Sequence, residues 1–453
     1  METVQKINSF VNGIVWGPLM LCVLLGIGIY FTIKMNFFQI RHFKTWWNVT
    51  FMSLFRKENN RPDSDKISPF QAMATALAGA IGTGNIVGVA SAVTLGGAGA
   101  VLWMQLAALF GMATVFVENV LGVKYREKRN GKFVGGPMYY IEKGLHCKWG
   151  AVIFAVFCTF AALGMGNMTQ ANSAAGALHN CFGISESVCG IILAALTAVI
   201  VFGGIKRIAA LTEKIIPVMA VAYILMSLTV LAIHFRNIPC AVEKIFVSAF
   251  DIRAAAGGFL GHGMARALKY GISRGVFSNE AGLGSSPIVH AAADTNDPYR
   301  QGMWGMFQVF TDTIVLCTLM ALCIIASDCD SMNTDGISLS IAVFENSLGI
   351  AGKIFISISI AVFAFATLVS WCYYGEKSLE YLTGGKFINC YRLIYAAAAY
   401  LGSITSISLV WEISDTLNGL MAIPNLAAIL LLAKKAEIKS VPLQSQNGYC
   451  KCQ

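Results

Sequence analysis

The stretch Ala78 to Gly88, AGAIGTGNIVG, lies inside a charge-free apolar run from Ile67 to Leu95 that is too long for one plain membrane crossing. A spanning helix needs roughly 20 apolar residues at about 1.5 Å each. The surplus predicts a helix interrupted partway, with Gly82 and Gly84 at the interruption. Hydrocarbon offers no water to free N–H and C=O groups, so an unwound stretch survives there only where protein covers it or a cavity, ion or substrate satisfies it. Such a chain is expected to carry a solute.

The rest of the sequence agrees with a membrane setting. Hydrophobic residues make up 56% and charged residues 13% of the 453, against roughly 25% charged in soluble domains. The net charge of +9 comes from Lys and Arg in short loops between apolar runs. It reports topology and does not imply a nucleic-acid partner. Thirteen cysteines show no paired CxxC spacing for zinc or redox chemistry and read mostly as small buried hydrophobes; whether Cys181, Cys189 and Cys329 face outward, where they could be oxidised, is left open. The first apolar run, Val11 to Ile33, is long enough to span and no cleavable-signal n-region precedes it, so it is read as a retained helix.

Eleven crossings are expected, near residues 11–33, 67–95, 98–123, 151–178, 185–202, 215–235, 265–293, 302–325, 353–374, 387–405 and 409–432. Basic residues gather after the first (Arg41, Lys44, Arg56, Lys57, Arg61, Lys66), third (Lys124, Arg126, Lys128, Arg129, Lys132) and fifth (Lys206, Arg207, Lys214). Those loops belong in the cytoplasm. An odd number of crossings then places the N-terminus outside and the C-terminus, with Lys434 and Lys435, inside. Met35 to Phe55, rich in Phe, Trp, Arg and Lys, reads as an amphipathic segment on the cytoplasmic leaflet. The expected division is an accessory helix (1–34), a cytoplasmic amphipathic connector (35–66), two five-helix halves (67–235 and 236–435) and a cytoplasmic tail (436–453).

In carriers built from inverted repeats, the first helix of each half is broken at the midplane. The second half indeed offers Tyr270 to Ala293, where Gly271, Gly275, Gly282, Gly284 and Pro287 surround Ser278, Asn279 and Glu280. A rival break, GGFLGHG at Gly257 to Gly263, lies upstream; the later one is preferred.

With these residues in view, the chain resembles the alanine/glycine:cation symporter family, bacterial and archaeal sodium-coupled carriers of small neutral amino acids. The likeness rests on IGTGNIVGVA (Ile81–Ala90), GGPMYYIEKG (Gly135–Gly144), GVFSNEAGLGSSPIVHAAA (Gly275–Ala293) and FAFATLVSWCYYGEKSLEYL (Phe363–Leu382). In GGAGAVLWMQLAALFG (Gly96–Gly111), Leu102 and Gln105 stand where that family usually has aromatics. The resemblance implies an all-α integral membrane protein of LeuT-like fold: a five-plus-five inverted repeat with two broken helices, one accessory N-terminal helix and residence in the cell membrane. It further implies no cofactor, with sodium as coupling ion and alanine or glycine as substrate. No obligate protein partner is inferred.

A zwitterion needs donors for its carboxylate and acceptors for its ammonium group, and broken helices expose both. Backbone N–H groups near Thr83, Gly84 and Asn85 are expected to hold the carboxylate, glycine letting the ligand approach the chain. Trp371 and Phe277 are candidate apolar caps, with Gln170 and Asn279 as polar partners. Sodium wants several converging oxygens. Resemblance to the wider sodium-coupled fold points to the carbonyls of Ala78 and Ile81 with the hydroxyls of Thr367 and Ser370, and to a less secure second position at Asn85 and Ala80. Glu280 and Asp312 are intramembrane acids, functional by default; Glu280 is read as bracing the unwound segment through backbone donors from Ala281 to Ser285, and either acid could serve ion or proton coupling. Glu118 is read as reaching the interface near a helix end. Dispersed histidines argue against a membrane enzyme, and otherwise apolar helices argue against a channel. The alternative is a proton- or sodium-coupled carrier of another small neutral solute on the same fold.

Overall fold

The computed structural model describes residues 2–55, 66–129, 131–250, 262–332, 334, 336–405 and 407–434. Arg56, Lys57, Arg61, Lys435, the tail from Ala436 and nearly all of the rival break at 257–263 lie outside the described residues.

The chain is almost wholly helical: α1 (Pro18–Lys34), α2 (Pro69–Ala80), α3 (Val87–Gly96), α4 (Ala100–Lys124), α5 (Lys148–Leu163), α6 (Thr169–Phe182), α7 (Glu186–Val201), α8 (Gly204–Ile233), α9 (His262–Asn279), α10 (Ser286–His290), α11 (Pro298–Val309), α12 (Thr318–Ala326), α13 (Gly336–Thr383), α14 (Ile388–Ile404) and α15 (Ile407–Leu432). Among the described residues, seven helical segments are long and apolar enough to cross a membrane. The other crossings expected from sequence fall on helices that are short or interrupted, such as α3 and α7.

Local chemistry accounts for the boundaries. Ser68 and Gln71 form a capping box and Pro69 opens α2, satisfying N–H groups that a helix start leaves free. Asp297 accepts from the backbone N–H groups of Tyr299 and Arg300 to start α11. Gly349, at φ 64°, bends the long helix α13. Two π-turns, Gly164–Met168 and Phe310–Cys317, join α5 to α6 and α11 to α12. Such turns recur at functional sites.

The interior is built on α2, α3, α9 and α10, enclosed by α4, α6, α8 and α13. The amphipathic connector is docked onto protein as well as being aromatic: Trp46 is fully buried and, with Phe43 and Trp47, packs on Phe310. Cys189, on α7, and Cys329, in a tight turn, are buried.

At one end, the starts and tails of the two broken helices are tied together. Ile67 and Ala293 form a parallel bridge, Asp294 N donates to Ile67 O at 2.8 Å, and Lys66 pairs with Asp294 at 3.3 Å. Arg126 donates to the carbonyls of Ala291, Ala293 and Thr295 while its guanidinium lies 3.7 Å from the Phe133 ring centre. Removing the donor strands three carbonyls, at about 1–3 kcal/mol for each buried one. Arg126→Ala is therefore expected to lower the melting temperature of the detergent-solubilised protein by several degrees, with Arg126→Lys falling between; a melting curve superimposable on wild type would show the tie to be dispensable.

Candidate functional site

Helix α2 ends at Ala80, and Ile81, Gly82 and a single 3₁₀ turn, Thr83–Asn85, carry the chain to α3. Every residue from Ala72 to Ala90 is buried. The second interruption lies where the later of the two sequence candidates placed it. Helix α9 stops at Asn279, Glu280, Gly282 and Gly284 take φ values of 61°, 87° and 79°, and α10 resumes at Ser286. Two of these three left-handed positions are glycine, which adopts them without strain; Glu280 does so while gripped at its side chain.

Three groups of contacts surround the breaks. In the first, Thr367 Oγ1 from α13 meets the carbonyl oxygens of Ala78 (2.8 Å) and Ile81 (3.3 Å). A Cβ at Gly82 would stand 2.4 Å from that hydroxyl, so glycine is required for the approach. Ser370, one turn along α13, is buried and its hydroxyl has no hydrogen-bond partner. These are uncharged oxygens, the donor set that suits a hard monovalent cation.

In the second, Thr83 N donates to Gln170 Oε1 at 3.1 Å, and Gln170 Nε2 is held by Met165 O of the π-turn. Gly84 faces Ser278 of α9 so closely that a Cβ would lie 3.1 Å from it. Asn85 Nδ2 donates to Asp312 Oδ1 (2.8 Å), and Ser278 Oγ and Thr313 Oγ1 both donate to Asp312 Oδ2 (2.9 and 2.6 Å). Asp312 thus joins both broken helices through the second π-turn. Asn279 Nδ2 donates to Thr313 Oγ1 and its Oδ1 accepts from Ala281 N, turning the chain into the break. At the less secure second position, the Ala80 carbonyl accepts from Gly82 N while Asn85 Nδ2 donates to Asp312.

In the third, Glu280 accepts from Trp371 Nε1 (2.8 Å) and from Ser285 Oγ. The donors that brace it are side chains rather than the backbone N–H groups expected from sequence. Trp371 also donates to Gly79 O at 3.3 Å, so its indole ties α2 to the second break. Phe277 is buried, with the Arg274 guanidinium 5.6 Å from its ring.

Glu118 differs most from its sequence reading. It is fully buried, accepts from Asn425 Nδ2 at 2.5 Å, and faces the second break. Asn425 also donates to Gly282 O and accepts from Tyr140. Position near a helix end suggested an exposed acid; the close packing of α10 and α15 on α4 covers it instead. Its one legible signal was being the sole acid in the run from Ala98 to Val123. Also unforeseen is a polar chain beneath α10, in which Ser286 donates to Gln308 Oε1 and His290 lies between Gln308 and Gln301.

A small open cleft, lined by Lys66, Ile67, Tyr373, Glu376, Lys377 and Arg392 among others, lies beyond Trp371 along α13 and beside the tied ends of the broken helices. Its walls carry the Glu376–Arg392 ion pair (2.8 Å) rather than the site's chemistry.

Two interrupted helices meeting around buried oxygens, inside a multi-pass helical membrane protein, define a membrane carrier of the broken-helix class. The chain belongs to the sodium:alanine symporter family, whose model matches residues 1–447. It is 45% identical to the sodium/alanine symporter AgcS of Methanococcus maripaludis over 96% of this chain and 95% of that one. It is 37% identical to the amino-acid carrier protein AlsT of Bacillus subtilis over 95% and 90%. In fold it matches the crystal structure of MhsT in complex with L-phenylalanine, at a TM-score of 0.60 and 14% identity, over 85% of this chain and 95% of that one.

Proposed function

We propose that the chain imports a small neutral amino acid, alanine or glycine, together with sodium by alternating access across a bacterial or archaeal cell membrane. The observation that carries this reading is Thr367 bridging the carbonyls of Ala78 and Ile81 at the first break. With Ser370 these form the sodium position. Backbone N–H groups of Thr83, Gly84 and Asn85 take the substrate carboxylate, displacing Gln170 from Thr83 N. Asn279 and Gln170 order the polar ends, while Trp371 and Phe277 limit the side chain to something like a methyl group. Glu280 braces the second break, and Asp312 couples the two broken helices. The halves 67–235 and 236–435 move relative to one another, with the N-terminus outside and the basic loops and C-terminus inside. Family membership and the AgcS relative's name support sodium and alanine.

Uptake of labelled alanine into proteoliposomes tests the reading. A sodium gradient is expected to drive accumulation above equilibrium, blocked by excess glycine, where equal potassium or a proton gradient alone does not. Accumulation driven by protons alone would reject sodium as the coupling ion. Asn279→Ala is expected to raise the alanine concentration for half-saturation roughly ten-fold, or about 1.4 kcal/mol, with membrane insertion intact; unchanged alanine binding would remove Asn279 from the site.

A further inference from the structure

Among the described residues, three carboxyl groups are fully buried around the breaks: Glu118, Glu280 and Asp312. All their side-chain hydrogen-bond donors are neutral: Asn425 for Glu118, Trp371 and Ser285 for Glu280, and Asn85, Ser278 and Thr313 for Asp312. No Lys or Arg forms an ion pair with any of them among the described residues. An uncompensated charge in a protein interior costs several kcal/mol, and a membrane adds to that. Sodium bound beside Thr367 supplies one positive charge, so a carrier between sodium cycles needs another cation.

The three acids are not equivalent. Glu280 and Asp312 have both oxygens hydrogen-bonded. Glu118 has one, Oε1, held by Asn425, while Oε2 is buried with no partner; the backbone N–H groups of Gly282 and Gly284 face the carboxyl without reaching hydrogen-bonding geometry on Oε2. Asn425 is fully committed: its Nδ2 serves Glu118 and Gly282 O, and its Oδ1 accepts from Tyr140. An ionised Glu118 therefore fixes the amide orientation that grips the unwound segment at Gly282. A proton fits only on Oε2, and once there it weakens that grip by neutralising the acceptor.

We propose that Glu118 is a proton-binding positioning residue, whose carboxyl carries a proton in the sodium-free carrier and gives it up when sodium and substrate bind, locking the second break through Asn425. The inference rests on the function proposed above. The carboxyl loses H⁺ to water, and no other reactant is needed. The titratable groups that face it are Tyr140 and Glu280. Of the other charged or titratable groups on the packed elements, His290 bonds Gln301 and Gln308, Arg274 pairs with Asp415, Lys34 donates to the Ala433 carbonyl and Asp312 accepts from Asn85, Ser278 and Thr313; Arg266, Lys269, Arg300 and Glu412 form no hydrogen bond or ion pair with Glu118.

The full-length protein, purified in weakly buffered detergent, provides the test. Adding sodium chloride and alanine, against choline chloride and alanine, is expected to release about one proton per chain, read with an indicator dye. Glu118→Gln is expected to bind labelled alanine without that release. Because linkage is reciprocal, wild-type sodium affinity rises with pH, whereas that of Glu118→Gln stays flat. A wild-type protein that binds alanine but releases no proton, or equal release from Glu118→Gln, overturns the inference. If the glutamine variant does not fold, Glu118→Asp decides: release with a displaced pH midpoint supports the assignment, and an unmoved midpoint overturns it. Absence of sodium-dependent alanine binding in the wild type instead overturns the proposed function, and this inference with it.

Discussion

A carrier with Thr367→Val is expected to need roughly ten-fold more sodium, or beyond, for half-maximal alanine uptake, each factor of ten being about 1.4 kcal/mol. Valine keeps the branched shape, so packing of α13 against α2 is preserved. What is lost is the oxygen that sits 2.8 Å from Ala78 O and 3.3 Å from Ile81 O. A cation held by neutral oxygens depends on their number, and removing one of the four proposed ligands leaves two carbonyls facing an apolar methyl. Sodium titrations of alanine uptake in proteoliposomes measure this directly, with alanine half-saturation at high sodium as the comparison. The sodium curve should move much further than the alanine curve. Identical sodium activation in wild type and variant would remove Thr367 from the ion site.

The location of the two helix breaks was legible because backbone requirements leave marks in sequence. Gly82 and Gly84 in an over-long uncharged run announce a break, and Gly282 and Gly284 around Asn279 and Glu280 announce the other. In the structure each pair sits where a side chain would collide or a left-handed φ is needed. Thr367 was reached through family resemblance, since a lone threonine on an apolar helix has no distinguishing local pattern. What stayed hidden depends on tertiary pairing. Glu118 and Asn425 are 307 positions apart, and no periodicity links them. The π-turns that aim Asp312 and position Gln170 are equally invisible, because one extra residue in a helical turn leaves the hydrophobic pattern almost intact. Sequence therefore located the breaks and named several of the residues at them, Glu280 and Asp312 among them, while the pairings that hold the breaks in place, and Glu118 with Asn425 altogether, came only from packing.

Glu280 offers the sharpest separation between holding a break and carrying a charge through it. Its carboxylate takes the Trp371 indole N–H at one oxygen and the Ser285 hydroxyl at the other, with the backbone at φ 61°. Glu280→Ala strands both donors in a buried setting at about 1–3 kcal/mol each and leaves Trp371 with only the longer bond to Gly79 O at 3.3 Å. Uptake is expected to fall roughly a hundred-fold or more, which corresponds to about 2.7 kcal/mol and lies within the combined loss. Glu280→Gln retains an acceptor for the indole in nearly the same volume. If bracing is the role, that variant should keep uptake within roughly ten-fold of wild type, about 1.4 kcal/mol, at equal amounts of protein in the membrane. A glutamine variant as inactive as the alanine variant would mean that the negative charge itself is required, and the bracing assignment would fall.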